Sequence, residues 1–224
     1  MTPPEEPAGG ALLVPMYVHP VLDPAGWRAL ESAAGRLYGV VLNAADGPGD
    51  APDPVFAEAA ARLRRAGVRV LGYVDTGYGA RPLRAAGLDL RRHRAWYGVT
   101  GAFFDRVAGD ERRLPYYRRL ARAARLGGAP TVVLNPGVHP DPRYARVADL
   151  LVTYEGSWAD YAAAEVPAWT AAHSPDRFCH LVYGVPRGLG ARVARTAAGR
   201  GAAVHCAVPG LPPNPWCQAP AGAA

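Results

Sequence analysis

The chain has 224 residues, half of them apolar and a fifth charged, which is enough to build one full hydrophobic core. It carries a net charge of +6 with no Lys and no Ile, so a GC-rich coding sequence writing its surface as Arg explains the positive balance better than a nucleic-acid partner does. The longest apolar runs fall short of the ~18 residues that a membrane helix needs, and Cys179, Cys206 and Cys217 form neither a CxxC pair nor an even disulfide set.

In chain order, the first ten residues, MTPPEEPAGG, are acidic and Pro-rich and predict a tail. They lack the basic head and apolar stretch of a secretion signal, so the location reads as cytoplasmic by default. Short apolar segments then recur at 11–18, 38–43, 68–75, 101–107, 131–135, 150–155, 178–185 and 202–208. Each is strand-length and rich in Val, Leu or aromatic residues. Between them, 53–66, 114–126, 158–171 and 187–199 show apolar residues three or four apart and predict amphipathic helices. Arg62, Arg64 and Arg65, like Arg118, Arg119, Arg122 and Arg125, then sit on solvated helix faces. Gly67, Gly127 and Gly199 follow helical segments, where a left-handed cap is expected. The stretch DPRYARVAD leaves room for only two turns, and PGLPPNPW after the last strand is no helix.

Strands alternating with helices imply a parallel sheet. Eight units predict a closed (β/α)8 barrel over 11–216, compact for a fold of typically ~250 residues, with some helices short or missing and 217–224 as a second tail. An open doubly wound sheet is the alternative. It is disfavoured by the strand number and by the lack of a Gly-rich phosphate loop after the first strand.

Barrel enzymes gather their chemistry at the C-terminal ends of the strands. Here those ends carry Tyr17 and His19, Asn43, Tyr73 and Asp75, Asp105 and Arg106, Asn135, Tyr154 and Glu155, and Tyr183. Alternation along a strand puts Asp105 on one face with Phe103 and Gly101, Asp75 with Tyr73 and Leu71, Asn135 with Val133, and Glu155 with Thr153 and Leu151. The inward set is then apolar until its last member. Polar residues also gather at strand ends simply because strands meet solvent there. Asp75 before TGYG and Asn43 before AADGPG are equally placed to stabilise their loops. Three carboxylates and two Asn on one rim nevertheless suit glycoside hydrolysis, in which paired carboxyl groups flank the scissile bond. Tyr17, Tyr73, Tyr154, Trp158 and Tyr183 are then candidates for stacking on sugar rings, and Asn43 and Asn135 for bonding hydroxyls. His19 lies at the rim, and a hydrolase built on His19 and Asp75 is a third reading. No serine-hydrolase elbow, HExxH helix or metal-ligand spacing is present, so no metal and no cofactor are expected.

The strings LLVPMYVHP, VVLNAADGPG, GVRVLGYVDTGYG, GAFFDRV, VVLNPG, VTYEGSW and HLVYGVP, in this order from about residue 11 to 216, resemble spherulation-specific family 4. The resemblance implies a (β/α)8 barrel of glycoside hydrolase type whose fungal members cleave an α-1,4-linked polymer of galactosamine and N-acetylgalactosamine. It also implies an exported protein. In those enzymes the functional carboxylates are an Asp-Glu pair ending the fourth strand and a Glu ending the sixth. These positions map onto Asp105 and Glu155, while the second member of the pair falls on Arg106. A guanidinium beside Asp105 is expected to lower its pKa and keep it ionised as nucleophile or cation stabiliser, with Glu155 as the general acid. The alternative is a sugar-binding barrel that lost hydrolysis with Arg106.

Overall fold

A computed structural model describes residues 10–220. The predicted N-terminal tail, apart from Gly10, and residues 221–224 lie outside them. Eight parallel strands close into a barrel in sequential order: β1 Ala11–Met16, β2 Leu37–Leu42, β3 Val70–Asp75, β4 Gly101–Asp105, β5 Thr131–Leu134, β6 Leu150–Ser157, β7 Phe178–Tyr183 and β8 Val204–Ala207. Each predicted strand is present; six are trimmed by one to three residues, β2 is shifted back by one residue, and β6 runs two residues beyond its predicted end.

The helical layer is less regular. It contains α1 Pro24–Ser32, α2 Pro54–Arg65, α3 Leu83–Tyr97, α4 Leu114–Leu126, α5 Trp158–Tyr161 and α6 Gly190–Gly199. Capping explains two of the starts. The Asp23 carboxylate accepts the Gly26 N–H at 2.8 Å, and Asp53 accepts those of Val55 and Phe56, with Pro54 in the first turn. The helix predicted over 158–171 stops after four residues. Pro167 bars a helix across the middle of the predicted span, and two short 3-10 turns at Ala168–Ala172 and Pro175–Arg177 finish the crossover. Only a 3-10 turn, Pro142–Arg146, follows β5. The left-handed cap falls on Gly67 as expected, but after α4 and α6 it falls on Gly128 and Gly201 rather than on Gly127 and Gly199.

The register fixes what faces inward. Leu71 pairs with Gly101, Tyr73 with Phe103, and Asp75 with Asp105, while Phe103 pairs with Val133. Gly101 makes room in this layer: a Cβ there would lie 2.4 Å from the Leu71 side chain and 3.0 Å from Thr131 O, so Leu71 would have to repack. β6 departs from simple alternation. Val152 pairs with Cys179 and Tyr154 with His180, so Thr153 is extruded as a bulge. The face of Glu155 therefore continues through Val152 and Leu150, not through Thr153 and Leu151 as alternation predicts. β7 and β8 are neighbours, yet Cys179 and Cys206 are free thiols. Among the described residues, no helix is long and apolar enough to cross a membrane.

Candidate active site

Asn135 organises the mouth of the barrel. Its backbone N–H donates to Phe104 O and its carbonyl accepts from Val107, which locks the end of β5 beside β4. Its Oδ1 accepts the Gly137 N–H at 3.0 Å. That bond orients the amide so that Nδ2 faces two carboxylates. It donates to Asp105 Oδ1 at 2.7 Å and to Glu155 Oε2 at 2.5 Å. The remaining carboxylate oxygens are also occupied. The Tyr73 hydroxyl donates to Asp105 Oδ2 at 2.8 Å, and Trp216 Nε1 donates to Glu155 Oε1 at 3.1 Å. Two acceptors of one nitrogen at these distances stand no more than roughly 5 Å apart, which places the pair among closely spaced carboxylates.

The two acids differ in environment. Burial, followed by the charge of Asp105, raises the Glu155 carboxyl to about 7, against the pull of Asn135 and Trp216. Asp105 is also raised by burial, but three donors oppose the rise: Tyr73, the Arg106 backbone N–H and Asn135. The proton that the pair retains below neutrality is therefore held chiefly by Glu155. Burial, then the charges of Asp105 and Glu155, hold the Tyr17 phenol well above its ordinary value, so it stays protonated.

A cleft of about 530 Å3 opens above this pair, in the size range of small-ligand sites. Tyr17, Asn43, Tyr73 and Tyr183 line it together with Asp105 and Glu155. Tyr17 meets Tyr73 edge-on at 5.5 Å between ring centroids. Asn43 has both of the roles weighed for it. It lines the cleft, and its Oδ1 accepts the Gly47 N–H at 2.8 Å to hold the turn.

Four sequence expectations fail on placement. Arg106 adopts a left-handed backbone conformation (φ 50°), which turns its side chain away from Asp105. The guanidinium pairs with Asp75 at 3.0 Å and lies over the Tyr78 ring, so only its backbone N–H acts on Asp105. The expected lowering of the Asp105 pKa is accordingly replaced by a rise. Of the two roles weighed for Asp75, contact with substrate fails, since it does not line the cleft, and the loop role holds: it accepts the Gly77 N–H at 2.7 Å and pairs with Arg106. His19 bonds Asp53 at 3.1 Å and packs edge-on against Phe56, outside the cleft lining, so no His19–Asp75 constellation exists. Tyr154 and Trp158 face the helix layer. Tyr154 packs on Tyr161 and bonds Ser157 O, and Trp158 packs on Tyr161 and beneath Arg192.

Trp216 and Asp46, both lining the cleft, were missed. Trp216 arrives on the Pro-rich segment after β8, where neither strand nor helix periodicity marks a residue as inward. Its one signal is a lone indole in PPNPW, and Tyr17 N–H donating to Trp216 O at 2.9 Å shows how that segment is sewn to the rim. Among the described residues, no group of three or more His, Cys, Asp or Glu is arranged to hold a metal ion.

Comparison with known proteins adds four findings. The family model described as spherulation-specific family 4 matches residues 11–205. Spherulin-4 of Physarum polycephalum is 32% identical over 149 residues, which is 64% of this chain and 44% of that protein, so the alignment spans less than half of the relative's length. The crystal structure of Aspergillus clavatus Sph3 in complex with GalNAc superposes with a TM-score of 0.81 at 26% identity, covering 95% of this chain and 94% of that one. Deoxyribose phosphate aldolase from Aeropyrum pernix (TM-score 0.50, 13% identity, 90% and 86% covered) shares the barrel fold alone.

Proposed function

Because the chain belongs to spherulation-specific family 4, we propose that its barrel is a glycosidase acting on a polysaccharide that contains amino sugars of the N-acetylgalactosamine type, with Asp105 as nucleophile and Glu155 as general acid and base. The observation that carries this reading is the pair of carboxylates bridged by one Asn135 nitrogen at the floor of an open cleft. The GalNAc bound to Sph3 supports the choice of sugar.

The close spacing favours retention of configuration. Protonated Glu155 gives its proton to the glycosidic oxygen as that bond to the anomeric carbon breaks. An Asp105 carboxylate oxygen forms the new bond to the anomeric carbon. Glu155, now ionised, removes a proton from water, whose oxygen attacks the same carbon and releases Asp105. The Tyr73 and Asn135 donors hold Asp105 in line and disperse its charge.

Incubation with an α-1,4-linked galactosamine/N-acetylgalactosamine polymer, followed by proton NMR of the first products, tests the reading. Reducing ends of retained α configuration are expected, with activity lost in Asp105→Asn. Products of inverted configuration, or full activity in Asp105→Asn, contradict it. One observation favours a second reading: Arg106 stands where the resembling enzymes carry a second carboxylate. On that reading the same polymer binds and no reducing ends appear.

A further inference from the structure

Arg106, the residue after the proposed nucleophile, holds a left-handed backbone conformation (φ 50°) without being glycine. Such a conformation persists only where its surroundings over-determine it. Here most of the hold comes from one residue in the loop after β3. Thr76 donates its backbone N–H to Asp105 O at 3.0 Å, and its Oγ1 lies 2.9 Å from Asp105 O and 2.8 Å from Arg106 O. The Tyr78 N–H also donates to Arg106 O, at 2.7 Å.

The protons of this network run in one direction. Tyr117, on α4, accepts the Ala108 N–H at 2.9 Å, and its hydroxyl stands 3.0 Å from Thr76 Oγ1. Each hydroxyl has one proton to give. The two carbonyls can only accept, so Thr76 spends its proton on them, and the proton between the two hydroxyls is that of Tyr117. Thr76 and Tyr117 are both fully buried, so water does not replace a lost member of the chain.

The peptide that joins Asp105 to Arg106 carries this hold to the carboxylate. A trans peptide is planar, with its C=O and N–H pointing opposite ways. Fixing Asp105 O from the Thr76 side therefore aims the Arg106 N–H the other way. That N–H is one of three donors on the Asp105 carboxylate, with the Tyr73 hydroxyl and Asn135 Nδ2.

We propose that Thr76 is a positioning residue for Asp105: its hydroxyl, oriented by Tyr117, sets the plane of the 105–106 peptide and so keeps the Arg106 N–H on the carboxylate. That Asp105 attacks the substrate rests on the function proposed above. The hold on its carboxylate rests on the hydrogen bonds alone.

The test is a 13C NMR titration of protein labelled at its carboxyl groups, in which the Asp105 signal is the one missing from Asp105→Asn. Thr76→Val keeps the shape of the side chain and removes the hydroxyl. It is expected to raise the Asp105 midpoint by about 0.5–1 pH unit, because the ionised form loses a well-aimed donor. Tyr117→Phe removes the orienting partner and is expected to move the midpoint the same way. Thr76→Ser, which keeps the hydroxyl, is expected to restore it to within about 0.2 pH unit of the wild type. The ionisable groups that face Asp105 are the same in all three variants: Tyr73 and Asp75 from β3, Glu155 from β6 and Tyr17 beyond the end of β1. In hydrolysis, Thr76→Val is expected to lower kcat about tenfold with KM changed less than about twofold, and the acid limb of the pH profile moves up with the carboxyl midpoint.

A merely structural Thr76 would lower the urea midpoint of Thr76→Val and leave the Asp105 midpoint where it is. That result overturns the inference, as does a Thr76→Ser midpoint displaced as far as that of Thr76→Val. If Thr76→Val does not fold, Tyr117→Phe decides on the same terms. The titration needs no substrate. Failure of the wild type to hydrolyse the polymer therefore counts against the hydrolytic reading alone, and the carboxyl midpoint still decides this one.

Discussion

Replacing Glu155 by glutamine tests the electrostatics of the site through stability alone. In the unfolded chain this carboxyl ionises near 4.5, whereas in the fold burial and the Asp105 charge raise it to about 7. Below pH 4.5 both states are protonated and the fold has its full stability. Between 4.5 and 7 the unfolded state releases its proton first, so stability falls; above 7 the loss is complete. A displacement of that size corresponds to about 3 kcal/mol. The glutamine side chain does not titrate. It does leave a donor facing either Trp216 Nε1 or Asn135 Nδ2, at a cost of about 1–3 kcal/mol, but that cost is the same at every pH. The expected result is therefore a difference between two curves. From pH 4 to pH 8 the Glu155→Gln variant gains about 3 kcal/mol on the wild type, measured by urea unfolding across that range. In thermal unfolding this corresponds to roughly 6–12 °C for a chain of this size. Parallel stability–pH curves for the two proteins would refute the claim that Glu155 is a buried, proton-retaining acid.

Trp216→Phe removes the indole N–H from Glu155 Oε1 while keeping an aromatic ring in place. The ionised form loses a charge-assisted bond, so the alkaline limb of the hydrolysis pH profile is expected to move upward by about one pH unit. An unmoved limb argues against the contact. Asn135→Ala strips a donor from both carboxylates. It is expected to lower kcat/KM by about a hundredfold, with the acid limb of the profile displaced upward as Asp105 becomes harder to ionise. Arg106→Ala breaks an exposed pair with Asp75 and spares the backbone bond to Asp105, so it is expected to cost about 1 kcal/mol or less and to change hydrolysis less than about threefold. A loss of a hundredfold or more would restore the guanidinium to the catalytic centre.

The contrast between what was legible and what was not follows from the range of the interactions involved. Strand order and the inward face of β3, β4 and β5 follow from period-two alternation, because each residue there has one partner on each side and no insertion disturbs the count. Alternation carried Tyr73, Asp105 and Asn135 to the same mouth on local information alone. It failed in β6, where Thr153 is extruded. Glu155 still reaches the interior because the bulge lies below it, but the residues beneath it change places. The direction of Arg106 was equally hidden, since it depends on a left-handed backbone at a non-glycine residue, held by the Tyr78 N–H donating to Arg106 O at 2.7 Å across two loops. Trp216 was out of reach for a different reason: its contact with Glu155 spans 61 residues and is made by a segment with no periodicity at all.

The same distinction explains why the site and the adjoining cavity arise together. A bulge that extrudes Thr153 lets Glu155 enter the barrel mouth while Tyr154 and the paired His180 remain in the outer layer. A Cβ on Gly156 would stand 2.6 Å from the Tyr154 hydroxyl, so a larger residue there would push that ring off its bond to Ser157 O. With α5 only four residues long, the outer face of β6 is incompletely covered, and a cavity lined by Thr153 and His180 lies beside it. One inserted residue in one strand thus sets the position of the proposed acid and also puts Thr153 on the wall of that cavity. Deleting Thr153 is therefore expected to turn Glu155 out of the barrel mouth and abolish hydrolysis, whereas Thr153→Val, which keeps the bulge and removes only the hydroxyl, is expected to leave hydrolysis intact; equal activity in the two variants would refute the role given to the bulge.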